Sequence, residues 1–461
     1  MTVPAPSQIT QRLAAFAAAL HYDALPPEVP LRASDLVTDL VGSIVRAGAE
    51  SNSTPALLAM AARLSIDGPG EITVFGFNRR YTPATAALFN GMLGHSLDFD
   101  DTHSDSSTHP SAPVVPAALA AAEMTGCSGR EALSGIVAGY EVMIRIGNAL
   151  DPTAHYARGF HPTATAGVFG AAAAAGRIFG LDAQQIASAF GVAASQAAGS
   201  LQFLVNGAWN KRFQVGAAAM NGLIAASLAR EGFLGAADAI EGKHGLLVGY
   251  TDGADPERAV AGLGSVWETM NIGLKPYPTC RYTHAAIDGL VALRTELGLT
   301  TEQVKSVTVG LHRNGITLTG TPLEEKRRVR GIVEGQFSMP FAAAVALTLG
   351  RFGWDDYALL AKPEIDALCD RVDVIRDESL EGLRHPFGAT LEVTTPQGTI
   401  SRRIPDPSGE PDTFPSPEAR AAKFMTLTRP VLNDDAAMLH ERLSRLADMP
   451  TLRELGGQAN I

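Results

Sequence analysis

Between Gly94 and Pro110 the chain reads GHSLDFDDTHSDSSTHP, which gathers His95, His103 and His109 with Asp98, Asp100, Asp101 and Asp105 at the end of an apolar helical pattern. Three chemistries suit that mixture. Asp and His are hard and borderline ligands for a divalent metal. As a calcium loop starting at Asp98, however, the run lacks the glycine and the bidentate glutamate that such a loop needs, and no H-E-x-x-H occurs. Ser, Thr, Asp and His are also ordinary loop formers, so a solvated acidic helix terminus explains the same composition. The third reading is an acid/base site, in which Asp98 fixes a tautomer or handles a proton while His109 acts as base.

Three further segments carry polar groups into apolar surroundings. In Gly159-Phe160-His161-Pro162-Thr163, a histidine precedes a helix whose first free N–H groups suit an anion. In Asn210-Lys211-Arg212-Phe213, one of only seven lysines stands at the mouth of an apolar helix, where it could bind a carboxylate or carry a proton. In Lys275-Pro276-Tyr277-Pro278-Thr279-Cys280-Arg281-Tyr282-Thr283-His284, two prolines fix a rigid turn that presents Arg281 and His284 near a helix start. Cys280 reads as a packed thiol before it reads as a nucleophile. The histidine and the lysine also have structural explanations, a structural histidine at a helix start and a solvated helix-start cation. No G-x-S-x-G, no G-x-x-x-x-G-K-[ST] and no strand-borne G-x-G-x-x-G accompanies them, which removes the nucleophile-elbow and nucleotide-loop readings.

The elements that must position these residues are mostly helical. Apolar residues recur at three- and four-residue spacing over Gln8–Ala19, Ala33–Ala47, Thr54–Leu64, Pro83–Leu97, Pro113–Met124, Arg130–Ala149 and Gln184–Ala197. Ser128 with Glu131 and Asp182 with Gln185 have the spacing of capping boxes. A brief hairpin is expected around Glu71–Phe77. After about residue 266 the pattern changes: Val304–Leu311, Val372–Arg376, Ala389–Thr394 and Thr399–Ile404 read as strands, the last two flanking a Pro396-Gln397-Gly398 turn. Helices are expected between them at His284–Leu297, Met339–Leu349 and Asp355–Ala361, and beyond them at Ser416–Lys423, Asp434–Ala447 and Pro450–Leu455. The fold class is therefore mainly α: a large all-helical domain formed by both chain ends, 1–265 and 406–461, with a smaller α+β domain, 266–405, inserted near the C-terminal third.

The formal net charge of −11 and the lack of Lys/Arg runs argue against a nucleic-acid or anionic-membrane partner, so an anionic ligand would need a few placed cations. Three widely spaced cysteines, Cys127, Cys280 and Cys369, form no disulfide framework or zinc ribbon and fit a reducing compartment. The opening MTVPAPSQIT carries no basic n-region and no apolar run is long enough to span a bilayer, which points to a cytoplasmic protein.

Taken in order, GHSLDFDDTH with THPSAPVVPA, GFHPTATAGVFGAAAAAG, KRFQVGAAAMNG, KPYPTCRYTHAAID and GQFSMPFAAAVAL resemble the MmgE/PrpD family over nearly the whole chain. That family includes 2-methylcitrate dehydratase, cis-aconitate decarboxylase and iminodisuccinate epimerase. The resemblance implies a helical domain with an α+β lid, a homodimer, and no metal or organic cofactor. It places Asp98, Thr102, His109, His161 and Lys211 in the catalytic site and adds His284; Arg281, a cation at the predicted domain boundary, joins Lys211 and His284 as a candidate for holding substrate. The expected function is proton movement at a carbon next to a carboxylate of a small di- or tricarboxylate. Dehydration of the 2-methylcitrate type leads, ahead of epimerisation and cis-aconitate-type decarboxylation. In this expectation Lys211 and Arg281 hold carboxylates in a cleft between the domains while His109, oriented by Asp98, moves the proton. A metal-dependent hydrolase built on Asp98, Asp100, His103 and His109 is the rival enzyme, and a structural oligomerisation protein the non-enzymatic one.

Overall fold

The computed structural model describes residues 8–382 and 386–456; the opening stretch read above for a leader lies, over residues 1–7, outside the described residues. The chain is mainly α and divides into two compact units, one running to Leu274 and resuming at Ser416, the other spanning Lys275–Pro415.

The larger unit contains α1 (Ile9–Ala19), α2 (Glu28–Glu50), α3 (Thr54–Arg63), α4 (Pro83–Gly94), α5 (Ser111–Thr125), α6 (Gly129–Ala149), α7 (Pro152–Ala157), α8 (Pro162–Ile178), α9 (Ala183–Ala194) and α10 (Asn210–Arg230). The helices Pro417–Leu432 and Asp435–Ser444 from the other end of the chain complete it. Local chemistry sets several boundaries. Ser128 Oγ accepts from the Glu131 N–H while the Glu131 carboxylate accepts from the Ser128 N–H, and Asp182 and Gln185 repeat the exchange at α9. Helix α2 begins five residues before the expected Ala33, because Pro30 is tolerated in a first turn and Glu28 favours the positive helix end. Helix α4 stops at Gly94 rather than Leu97. Its last turn tightens through Ser96 N–H to Leu93 O, and Asp98 takes φ 52°, a left-handed conformation that no α-helix continues.

The abundance of Ala and Gly becomes close helix packing. α8 lies against α5, α6, α9 and α10, and α10 also presses on α4. At Gly216 of α10, an added Cβ would stand 2.5 Å from the Leu88 carbonyl oxygen and 2.8 Å from the Met92 nitrogen, both backbone atoms that cannot rotate away. Gly216→Ala is expected to destabilise the protein by about 1–3 kcal/mol through overpacking; thermal or chemical unfolding measures it. This contact fixes where Lys211, at the start of α10, sits relative to the end of α4.

Two-stranded pairs lie among the helices. β1 (Ile72–Thr73) and β2 (Arg80–Tyr81) form the expected hairpin, and β3 (Thr102–His103) pairs with β4 (Ile272–Gly273) in a register of Thr102 with Gly273. In the smaller unit, β5 (Ser306–Leu311), β6 (Val372–Arg376), β7 (Ala389–Thr395) and β8 (Gly398–Ile404) form a sheet of order β6-β5-β7-β8, with only β5 and β6 parallel. Val307, Val309, Leu391 and Val393 alternate into its buried face. The helices His284–Leu297 and Met339–Leu349 occupy their expected ranges, whereas the expected helices at Asp355–Ala361 and Pro450–Leu455 are short 3₁₀ segments, Trp354–Leu359 and Leu452–Glu454. Among the described residues, no helix is long and apolar enough to cross a membrane.

Candidate active site

The polar run after α4 is not a solvated helix terminus. His95, Asp98, Asp100, Asp101, Thr102, His103 and Thr108 are all buried, and Asp100 has no exposed surface. Burial of that much polarity demands partners, and the partners define the site.

His95, just past α4, directs Nδ1 to Asp100 Oδ2 at 2.7 Å, and neither side chain is exposed. His109 places Nδ1 2.8 Å from the Asp101 carbonyl and 3.5 Å from the same Asp100 oxygen. A carbonyl only accepts, so His109 Nδ1 carries the hydrogen and, in the neutral ring, Nε2 carries the lone pair. The Asp101 carboxylate turns the other way. It accepts from the N–H and the hydroxyl of Ser111, first residue of α5, and Ser111 Oγ lies 2.6 Å from the Tyr140 hydroxyl. Burial pushes the Asp101 carboxyl well above its ordinary value and the Tyr140 phenol likewise. One residue thus caps α5 with its side chain and orients His109 with its main chain.

His161 is the N-cap residue of α8. Its ring centroid lies 6.0 Å from that of His95, in a stacked orientation, and the His109 ring meets His95 edge-on at 4.7 Å. Burial first, then the neighbouring His95 and Lys211, hold the His161 pKa well below the usual histidine value; Gln214, one turn along α10 from Lys211, works weakly in the other direction. Behind it, His155 is fixed between the Tyr250 carbonyl and the Thr165 hydroxyl. Lys211 Nζ contacts Asp98 Oδ1 at 2.5 Å, with the lysine side chain 17% and the aspartate 6% exposed. Thr102 lies in β3, and its buried hydroxyl makes no hydrogen bond among the described residues. Arg212 anchors the start of α10 by reaching Ser51 Oγ, Asn52 Oδ1 and Ser53 Oγ.

The larger unit therefore brings together Asp98, His109, His161 and Lys211, with Thr102 next in the chain to the Asp101 carbonyl, and adds His95; Asp100, expected only in the rival metal set, holds His95. The signal for His95 was its position directly after an apolar helix, but the helix pattern ran through it. Asp98 was expected to orient His109; the acceptor at His109 Nδ1 is instead the Asp101 carbonyl, and Lys211 takes the Asp98 oxygen. The metal set expected of a hydrolase is not assembled either. His103 bonds Ser106 and sits 3.3 Å from Glu268; burial raises the Glu268 carboxyl, but hydrogen bonds from that histidine and Asn271 outweigh it and hold it down to about 2. Among the described residues only His95, Asp100 and His109 bring ligand atoms within 4.8 Å of one another. The hydrogen on His109 Nδ1 removes that nitrogen from any such set.

In the smaller unit, Arg281 is buried, with Nε and Nη2 on Glu410 Oε1 at 3.0 and 2.6 Å. Nη1 donates to the Ser408 carbonyl and to His284 Nδ1, while His284 Nε2 donates to the Thr279 carbonyl at 3.1 Å. His284 thus has its tautomer fixed and both nitrogens engaged, and Arg281 directs four of its five N–H donors to Glu410, Ser408 and His284. Cys280 is buried in the same segment.

The profile of the MmgE/PrpD N-terminal domain matches residues 11–259, and that of the MmgE/PrpD C-terminal domain matches residues 277–448. The chain belongs to the MmgE/PrpD family. Relatives from this family include a cis-aconitate decarboxylase of Aspergillus terreus, 29% identical over 98% of this chain and 96% of the relative. The cis-aconitate decarboxylase-like protein oryM of Aspergillus oryzae is 28% identical over 95% and 93% of the two chains. The human cis-aconitate decarboxylase is 30% identical, over 47% of this chain and 46% of its own length. Membership makes the chain an enzyme and supports activity of the dehydratase or decarboxylase type at the level of the family.

Proposed function

We propose that the protein is a cofactor-independent lyase that moves a proton at a carbon next to a carboxylate of a small di- or tricarboxylate, with dehydration as the leading reaction. The observation that carries this reading is the convergence of a neutral buried His161, a His109 whose lone pair is fixed on Nε2, and the Lys211–Asp98 pair. Such a proton is weakly acidic because the adjacent carboxylate is already negative. Removing it needs a base that is unprotonated near neutral pH and a cation that offsets the charge developing in the transition state. His161 or His109 supplies the first and Lys211 the second. Loss of hydroxide then needs an acid, and the imidazolium formed by taking the carbon proton passes that proton to the leaving hydroxide, which departs as water. The buried walls keep water from competing.

Decarboxylation is the second reading. The names of the relatives that match nearly the whole chain favour it, and the same groups would deliver a proton to the carbanion left by CO₂. Incubation with 2-methylcitrate and with cis-aconitate, followed by NMR identification of the product, separates the two: a new alkene supports dehydration, a decarboxylated acid supports the second reading. Absence of turnover with either, and with other polycarboxylates including iminodisuccinate, would contradict both.

The partner expected from the family resemblance is a second copy of the chain. Leu204, Val205, Trp209 and Phe213 support it, since these large apolar side chains stand exposed beside Lys211, Val205 at 76%. Val205→Asp is expected to shift the protein toward monomer in analytical ultracentrifugation.

A further inference from the structure

Lys423 lies far along the chain from every motif that points to chemistry, yet its ammonium ends beside the site. The helix Pro417–Leu432 packs along α2, and the contact is close because position 42 is glycine: a Cβ there would meet Phe424 Cδ2 at 3.2 Å. Across that contact, residues one helical turn apart pair in sequence. Arg420 meets Asp35, and Lys423 Nζ meets Asp39 Oδ1 at 2.7 Å. The second pair is the buried one, with the lysine side chain 12% and the aspartate 5% exposed. Lys423 Nζ also donates to the Phe99 carbonyl at 2.8 Å and lies 3.9 Å from the centroid of the Phe99 ring. Phe99 links Asp98, which holds Lys211, to Asp100, which holds His95. This is a short segment with one left-handed residue, and strained backbone of that kind keeps its shape only where its surroundings fix it.

We propose that Lys423 is a positioning residue: by gripping the Phe99 carbonyl and offsetting the Asp39 charge, it holds Asp98 and Asp100 in place against Lys211 and His95. It touches no reacting atom, and the proposal rests on reading this site as a proton-transfer site. An ammonium can donate to Asp39 and to Phe99 together. Methionine keeps the aliphatic stem and loses both bonds, whereas arginine keeps the charge and several donors.

The test compares the full-length wild type with Lys423→Met, Lys423→Arg and Asp39→Asn in two measurements: steady-state kinetics on the carboxylate that is turned over, and NMR of ¹⁵N-histidine-labelled protein without substrate. Lys423→Met is expected to lower kcat about 10²-fold, as misplacement of reacting groups does, with KM little changed, and to shift the imidazole signals of His95 and His109. Lys423→Arg is expected to restore most of kcat. Asp39→Asn removes the anchor and is expected to reproduce both changes, which keeps the test decisive if Lys423→Met does not fold. A folded Lys423→Met with unaltered histidine signals, or one affected in KM alone, would overturn the proposal. If the wild type transforms no polycarboxylate, the functional reading fails while the histidine spectra still decide the place of Lys423.

Discussion

Lys211→Met is expected to lower kcat/KM by about 10²–10³-fold, the loss typical of removing one group that stabilises developing charge in a water-poor site. The lysine is the cation in direct contact with Asp98 and a neighbour of His161, and its 2.5 Å contact with Asp98 sets where the ammonium points. A second consequence separates catalysis from folding. Lys211→Met leaves the largely buried Asp98 carboxylate without its lysine, so the protein is also expected to lose stability. The double variant Lys211→Met with Asp98→Asn removes both charges; it should recover stability in thermal unfolding and stay inactive. Recovery of turnover along with stability would show that Lys211 serves the fold and not the reaction.

His161→Asn is expected to cost about 10²–10⁴-fold in kcat, the range for a positioned general base, and the pH profile carries the sharper signature. Because burial and the nearby His95 and Lys211 depress the pKa of His161, its imidazole stays neutral to a pH below the ordinary histidine value of 6.5. The base loses function as it is protonated, so the acid limb of kcat/KM in the wild type should fall below pH 6.5 and vanish in His161→Asn. The same shift bears on stability. The unfolded chain takes up a proton near 6.5 and the folded one resists it, so this histidine's contribution is full above 6.5 and declines as pH falls toward its folded value. An acid limb above 6.5 would exclude His161 as the base.

What could be read from the sequence was chiefly what is local. The capping boxes at Ser128 and Asp182 involve residues three apart, and they stand in the structure as read. The β7–β8 hairpin follows from a turn between two alternating runs. Burial of the 95–109 run was not legible in the same way, because its composition is that of a surface loop and only the packing of α4, α8 and α10 around it shows otherwise. His95 stayed hidden inside an apolar pattern that ran on to Leu97, whereas the helix ends before it. The β3–β4 pair joins two-residue strands far apart in the chain, too short to leave a pattern. Lys423 and Asp39 are separated by most of the chain, and no spacing rule connects them. Arg281 shows the converse: its turn was visible, but Glu410, which engages it, lies more than a hundred residues on.

The proposed function requires this site to exchange a proton at carbon next to a carboxylate without help from a metal. Proton NMR in D₂O tests it directly, with the purified protein mixed in turn with 2-methylcitrate, cis-aconitate and iminodisuccinate, each with and without a chelator. Deuterium is expected next to a carboxylate of substrate or product at a rate that the chelator leaves unchanged and that falls about 10²–10⁴-fold in His161→Asn. Exchange abolished by the chelator, or no incorporation with any of the three, would contradict it.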